Sequence, residues 1–185
     1  RSLLLKKGYD AVSIRQIADI CELGAGTIYS YFSGKAEIYA TLSIEVFDLL
    51  RDTFQTAADN CSSPTDKLRA MGISLMEFSV KHKAFYDLLD YFVSSPRMIF
   101  PRETKSRIDE YGMKVLYPIM DALKEGIQAG EFHRIDPKQH ALLFLGMIHG
   151  VIHLRKLQNT MLTESGFDNL CHQGIENIIN SLRVP

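Results

Sequence analysis

His149 and His153 stand four residues apart, one helical turn, where two imidazoles can share a metal ion. The residues between them lack the glutamate of an H-E-x-x-H site, and spacing supplies no third ligand. Packing or pocket polarity is the expected role of the pair, and neither metal nor cofactor is expected. Gly24-x-Gly26 opens like a dinucleotide fingerprint, but Tyr29 stands where the third glycine belongs and no strand pattern precedes it. No nucleophile elbow or P-loop follows. Cys21, Cys61 and Cys171 are widely spaced and odd in number, neither a disulfide framework nor a zinc spacing. Small buried thiols in a reducing cytoplasm are the expectation. Catalysis is not expected from a chain without any of these motifs.

The elements that must position other chemistry are helices. Sustained period-2 alternation and Asn-Gly or Asp-Gly turns are missing, which predicts an all-α fold. Leu3 to Leu5 run into Lys6-Lys7-Gly8, a helix ending in glycine that is expected to start upstream of Arg1. Ser13-Ile14-Arg15-Gln16 is a capping box that opens a second helix, with Ile14, Ile17, Ala18 and Cys21 on one face. Glu22-Leu23-Gly24 reads as a turn, Ala25 to Tyr31 as a third short helix, and Ser33-Gly34 as its break. Two short helices joined by a three-residue turn describe a helix-turn-helix. From Lys35 to about Asn60 an apolar stripe of Ile38, Leu42, Val46, Leu49, Leu50, Phe54 and Ala57 predicts one long helix. Further helices are predicted at 65–81, 84–94, 104–129, 138–158 and 167–183, the last after a break at Ser165-Gly166.

Charge gives no global hint of a nucleic-acid partner: the 185 residues carry a net −1. Residues 1–42 are slightly positive, with Arg1, Lys6, Lys7, Arg15 and Lys35 against Asp10, Asp19, Glu22 and Glu37. Any DNA binding is therefore expected to be modest in affinity and sensitive to salt. The longest apolar stretch, Ala141 to Leu154, is too short for a membrane span, and no leader segment is read at the N-terminus.

The run Gly8-Tyr9, Val12-Ser13-Ile14, Ile17-Ala18, Gly26-Thr27-Ile28-Tyr29-Ser30-Tyr31-Phe32 and Lys35-Ala36-Glu37-Ile38 closely resembles the N-terminal domain of the tetracycline-repressor (TetR) family of transcription regulators. A weaker resemblance lies at Glu125-Gly126-Ile127, Gly130-Glu131-Phe132 and Ile148-His149-Gly150, which look like turns of the family's C-terminal domain. The resemblance implies an N-terminal three-helix bundle with a helix-turn-helix over 1–42. A larger ligand-binding and dimerisation domain over 43–185 would follow. The chain departs from the family pattern at Glu22, where glycine is usual, and at Gly24, where serine or threonine is usual.

By that resemblance Thr27, Tyr29, Tyr31 and Lys35 match positions that contact phosphates, and Ser13 at its cap could join them. Arg15, Ala25, Gly26 and Ser30 are the base-reading candidates, Arg15 being the one long donor for guanine O6 and N7. Taken alone, Tyr29 and Tyr31 read more often as packing aromatics, and Arg15 as a solvated helix residue. The family's inducer pocket would fall among Met- and aromatic-rich helices, with Phe78, Phe85, Tyr86, Tyr91, Phe92, Met98, Tyr111, Tyr117, Met120, Phe144 and His149 as candidates. Each reads alternatively as plain core. Arg97, Arg102, Lys105 and Arg107 read as a solvated basic stretch or a site for an anionic head group. A homodimer would pair the last two helices through Leu145, Ile148, Ile152, Cys171, Ile175, Ile178 and Leu182. The expected function is a cytoplasmic, ligand-responsive repressor on a near-palindromic double-stranded operator, released by a small hydrophobic or aromatic molecule. The alternative is a helical interaction module whose degenerate helix-turn-helix does not bind DNA specifically.

Overall fold

The computed structural model describes residues 3, 7, 9–94 and 100–184, without the side chains of Phe92, Ser94 and Glu164. The helix expected around Leu3–Gly8 falls largely outside the described residues, as do Arg97 and Met98. The described helices are α1 (Ile14–Ile20), α2 (Ala25–Tyr31), α3 (Lys35–Asp59), α4 (Pro64–Lys81), α5 (Lys83–Ser94), α6 (Arg102–Gln128), α7 (Pro137–His153) and α8 (Glu164–Leu182). A 3₁₀ turn, Leu154–Leu157, follows α7. Extended pairing among the described residues is limited to isolated bridges, Phe132 with Arg183 and Gln158 with Leu162.

Local chemistry accounts for the boundaries. Pro64 opens α4, where its ring removes no needed donor. Asp136 caps α7 by accepting from the Lys138 and Gln139 amides at 2.8 and 3.2 Å, and Pro137 takes the first helical position. Two expectations need correction. The helix predicted over 138–158 ends at His153 and tightens into the 3₁₀ turn. The break predicted at Ser165-Gly166 is instead the first turn of α8, because Thr163 Oγ1 accepts from the Gly166 amide at 3.0 Å and starts the helix early.

The chain divides into two compact units, Arg1–Asp48 with His82–Met113, and Leu49–Lys81 with Lys114–Pro185. In the first, Val12, Ala18, Ile28, Tyr39 and Ala40 are buried, so α1 and α2 turn one apolar face each inward. In the second, α4, α7 and α8 pack closely around Gly72. A Cβ on Gly72 would lie 2.9 Å from Ile175 Cδ1 and 3.3 Å from Ile148 Cδ1, so only glycine lets these helices approach so closely. Arg69 on α4 bridges Asp66 and Glu176, the latter on α8. Gly126, near the end of α6, lies against the ring of buried Phe132.

Candidate nucleic-acid interface

The capping box forms at the start of α1. Ser13 Oγ accepts from the Gln16 amide at 3.2 Å, and Gln16 Oε1 accepts from the Ser13 amide at 2.9 Å. At the other end, the Leu23 amide donates to Ala18 O at 2.9 Å and the Glu22 amide to Asp19 O at 3.2 Å. That pair of bonds is a Schellman stop, and it requires the residue between to be left-handed. Glu22 occupies that position with φ 55°, which costs a side-chain-bearing residue about 1 kcal/mol. Gly24 caps α2 without any side-chain bond.

The α2 helix buries Ile28 and presents Tyr29 and Tyr31 outward, 57% and 76% exposed. Rings so exposed do not contribute to a core, which removes packing as the role of Tyr29 and Tyr31 within the chain. Thr27 and Arg15 are also exposed. Ser30 is exposed, but its hydroxyl donates to Thr27 O at 2.7 Å and so offers only its lone pairs outward. Ala25 is half-buried. A Cβ on Gly26 would meet nothing within 4 Å, so no packing in the chain demands glycine there. Ser13, Arg15, Tyr29, Gly34 and Lys35 share the wall of an open cleft of about 760 Å³. Residues at the starts of both α1 and α3 thus line one groove.

Lys35 is not a free cation over that cleft. Its Nζ donates to Tyr9 O at 2.7 Å and lies 4.3 Å from the centroid of the Tyr9 ring. That bond engages one of the three ammonium donors. Glu37 accepts from the Ser33 amide at 2.6 Å; the Ser33 side chain first, then that amide, hold its carboxyl below the usual carboxylate range. Tyr9, Tyr39 and Tyr91 form an aromatic cluster in the same unit, a feature that spacing did not disclose.

The pocket candidates fall in both units. Phe85, Tyr86, Tyr91 and Tyr111 belong to the first, where Tyr86 is buried. Phe78, Tyr117, Met120, Phe144 and His149 belong to the second. There Phe78 and Phe144 are buried, and Tyr117 lies open at the surface. Phe92 and Met98 side chains lie outside the described residues. His149 and His153 approach with their Nε2 atoms 3.1 Å apart.

The residues expected at a dimer face need correction. Ile148, Ile152, Cys171, Ile175 and Leu182 are buried within the protomer, and Leu145 and Ile178 are half-buried. The α7 surface instead exposes Leu142, Leu143, Gly146 and Gly150, which spacing places on one stripe of the helix.

Two short helices with a capped entry, a Schellman turn and an outward recognition face define a helix-turn-helix protein. Residues 1–42 match the family described as bacterial regulatory proteins, tetR family, and residues 61–153 match the tetracyclin repressor-like C-terminal domain. The chain belongs to the TetR family of transcriptional regulators and is not an enzyme.

It is 24% identical over 135 residues to the HTH-type transcriptional repressor KstR2 of Mycobacterium tuberculosis, a match covering 71% of this chain and 64% of that protein. It is 22% identical over 149 residues to the uncharacterized HTH-type transcriptional regulator YhgD of Bacillus subtilis, covering 78% and 74%. The fold matches that of the regulator FadR from Bacillus subtilis in complex with stearoyl-CoA, with TM-score 0.78 and 17% identity over 98% of this chain and 95% of that one. No helix among the described residues is long and apolar enough to cross a membrane.

Proposed function

We propose that the protein is a cytoplasmic, ligand-responsive repressor that binds a near-palindromic operator as a homodimer and is released by a small hydrophobic molecule. The observation that carries this reading is the cleft lined by the capped start of α1, the start of α3 and Tyr29, on a recognition helix that also exposes Tyr31. In this reading Ser13, Thr27, Tyr29, Tyr31 and Lys35 hold phosphates, and Arg15, Ala25, Gly26 and Ser30 meet base edges. Residues 1–42 act as the DNA-binding part and 43–185 as the ligand-binding and dimerisation part. Buried Phe78 and Phe144, with Met120 and His149, supply apolar wall and one polar group to the ligand site. Relatives named for ketosteroids and solved with stearoyl-CoA support a hydrophobic ligand body.

The stripe Leu142, Leu143, Gly146 and Gly150 forms the two-fold contact, since its glycines carry no Cβ to keep a partner helix away. A two-fold dimer on a near-palindromic operator would meet two half-sites about 34–36 Å apart, one DNA turn. The test is a fluorescence-anisotropy titration on DNA flanking the protein's own gene, with a scrambled duplex as control. Specific binding that a hydrophobic ligand reverses is the expected result; equal binding to both duplexes refutes it. The internal engagement of Lys35 and the exposed carboxylate of Glu22 favour the second reading, an interaction module without specific DNA binding, and that same titration decides between them.

A further inference from the structure

We propose that Tyr91, on α5 and outside the helix-turn-helix sequence, is a positioning residue for DNA binding that holds the chain leading into α1. The inference rests on the DNA-binding reading of the cleft. Tyr91 Oη donates to Asp10 Oδ2 at 2.9 Å. Asp10 lies three residues ahead of Ser13, the cap of α1, and both residues line the cleft. An untethered carboxylate there would repel a phosphate and would be free to swing across the α1 start. A hydroxyl donated to it draws off part of its charge and fixes where it points.

The ring of Tyr91 does a second job. It sits 5.9 Å from the Tyr9 ring and 6.1 Å from the Tyr39 ring, and Tyr9 meets Tyr39 edge-on at 4.9 Å. Tyr9 in turn offers its carbonyl and its ring face to Lys35, the first residue of α3. One side chain thus touches the segment that leads into α1 directly, and reaches the first turn of α3 only through Tyr9. Tyr39 is 2% exposed and anchors the cluster on α3. Burial, with the bond to Asp10 second, pushes the Tyr91 hydroxyl up to about 12, so it remains a donor throughout the physiological range. Tyr91 matches no residue of the expected DNA-contact set, because it lies about 80 positions along the chain from the residue it holds.

Tyr91→Phe tests this, since it keeps the ring and removes only the donor. Two quantities are measured: amide hydrogen exchange over residues 10–17, and DNA affinity across a salt series. Loss of one partly desolvated hydrogen bond should speed exchange in that segment about fivefold while exchange in 66–79 stays unchanged. DNA affinity should fall by about the same factor with an unaltered salt slope, because no phosphate contact is removed. In an Asp10→Ala background the second substitution should change neither quantity.

Wild-type exchange rates over 10–17 in Tyr91→Phe would overturn the proposal, as would equal effects in both backgrounds. Should the wild-type protein fail to bind DNA specifically, the functional reading falls. The exchange comparison then still decides whether Tyr91 holds the α1 entry.

Discussion

Gly126→Ala should destabilise the protein by about 2 kcal/mol, although glycine to alanine inside a helix ordinarily stabilises by about 1 kcal/mol. The reversal follows from Phe132. A Cβ on Gly126 would lie 2.0 Å from Phe132 Cδ2, 2.2 Å from Cε2 and 2.8 Å from Cγ, where ordinary carbon contacts need about 3.5–4.0 Å. The ring cannot slide away cheaply. The Phe132 and Glu131 amides both donate to Gly126 O, at 3.1 and 2.9 Å, and the His133 amide donates to Leu182 O at 2.8 Å. Val184 donates to Glu131 O at 3.0 Å from the other side. Expelling a ring that is 2% exposed forfeits about 3 kcal/mol of burial, and keeping it in place strains the backbone by a similar amount.

Subtracting the helix gain leaves the net loss of about 2 kcal/mol. Gly112→Ala, on the same helix, is the control, since its Cβ would meet Phe47 Cζ at an ordinary 3.7 Å. It should stabilise by about 1 kcal/mol. Urea titrations followed by circular dichroism at fixed protein concentration measure both variants. A Gly126→Ala protein as stable as wild type would refute the argument that Phe132 is pinned.

Three further outcomes follow from the same geometry. Glu22→Gly should stabilise by about 1 kcal/mol by relieving the left-handed strain, read by thermal melting; an unchanged Tm would mean that the strain is absorbed elsewhere. Arg69 holds the Glu176 carboxyl below its usual range, chiefly by hydrogen bonding. Its folded form therefore favours the carboxylate, and that stability is present above the ordinary glutamate pKa and lost as pH falls through the lowered value. Arg69→Met should flatten the acid limb of a stability profile below about pH 5, and an unaltered limb would contradict the pairing. At neutral pH, exposed Cys21 should react readily with an alkylating reagent. Buried Cys171, its thiol pushed up to about 11 by desolvation, should react only on unfolding, and the order of labelling by mass spectrometry checks this.

The entry to the helix-turn-helix was legible because its signal is local. Ser13 and Gln16 bond each other across a single turn, so their identities and spacing suffice. The outward placement of Tyr29 and Tyr31 was legible only through the family motif, since exposed and buried tyrosines share one alphabet. The internal bond of Lys35 was not legible, for a physical reason. Its flexible stem reaches Tyr9, 26 residues away, and no short-range pattern encodes that contact. The residues expected at a dimer face are a different case, five of the seven being buried in the protomer. Because α7 is apolar almost all round, periodicity could not say which apolar stripe turns inward, and the inward one was chosen. The start of α8 was missed because Gly166 read as a breaker, whereas its amide serves the Thr163 cap.

The left-handed turn at Glu22 has an evolutionary consequence. A glutamate codon becomes a glycine codon by one change at its middle base. That single event would relax the backbone between the two helices and delete a negative charge from the face proposed to meet a polyanion. Stability and affinity for DNA would rise together, without the usual trade between them. On the DNA-binding reading, position 22 is thus a one-mutation dial on how tightly the protein would hold its site.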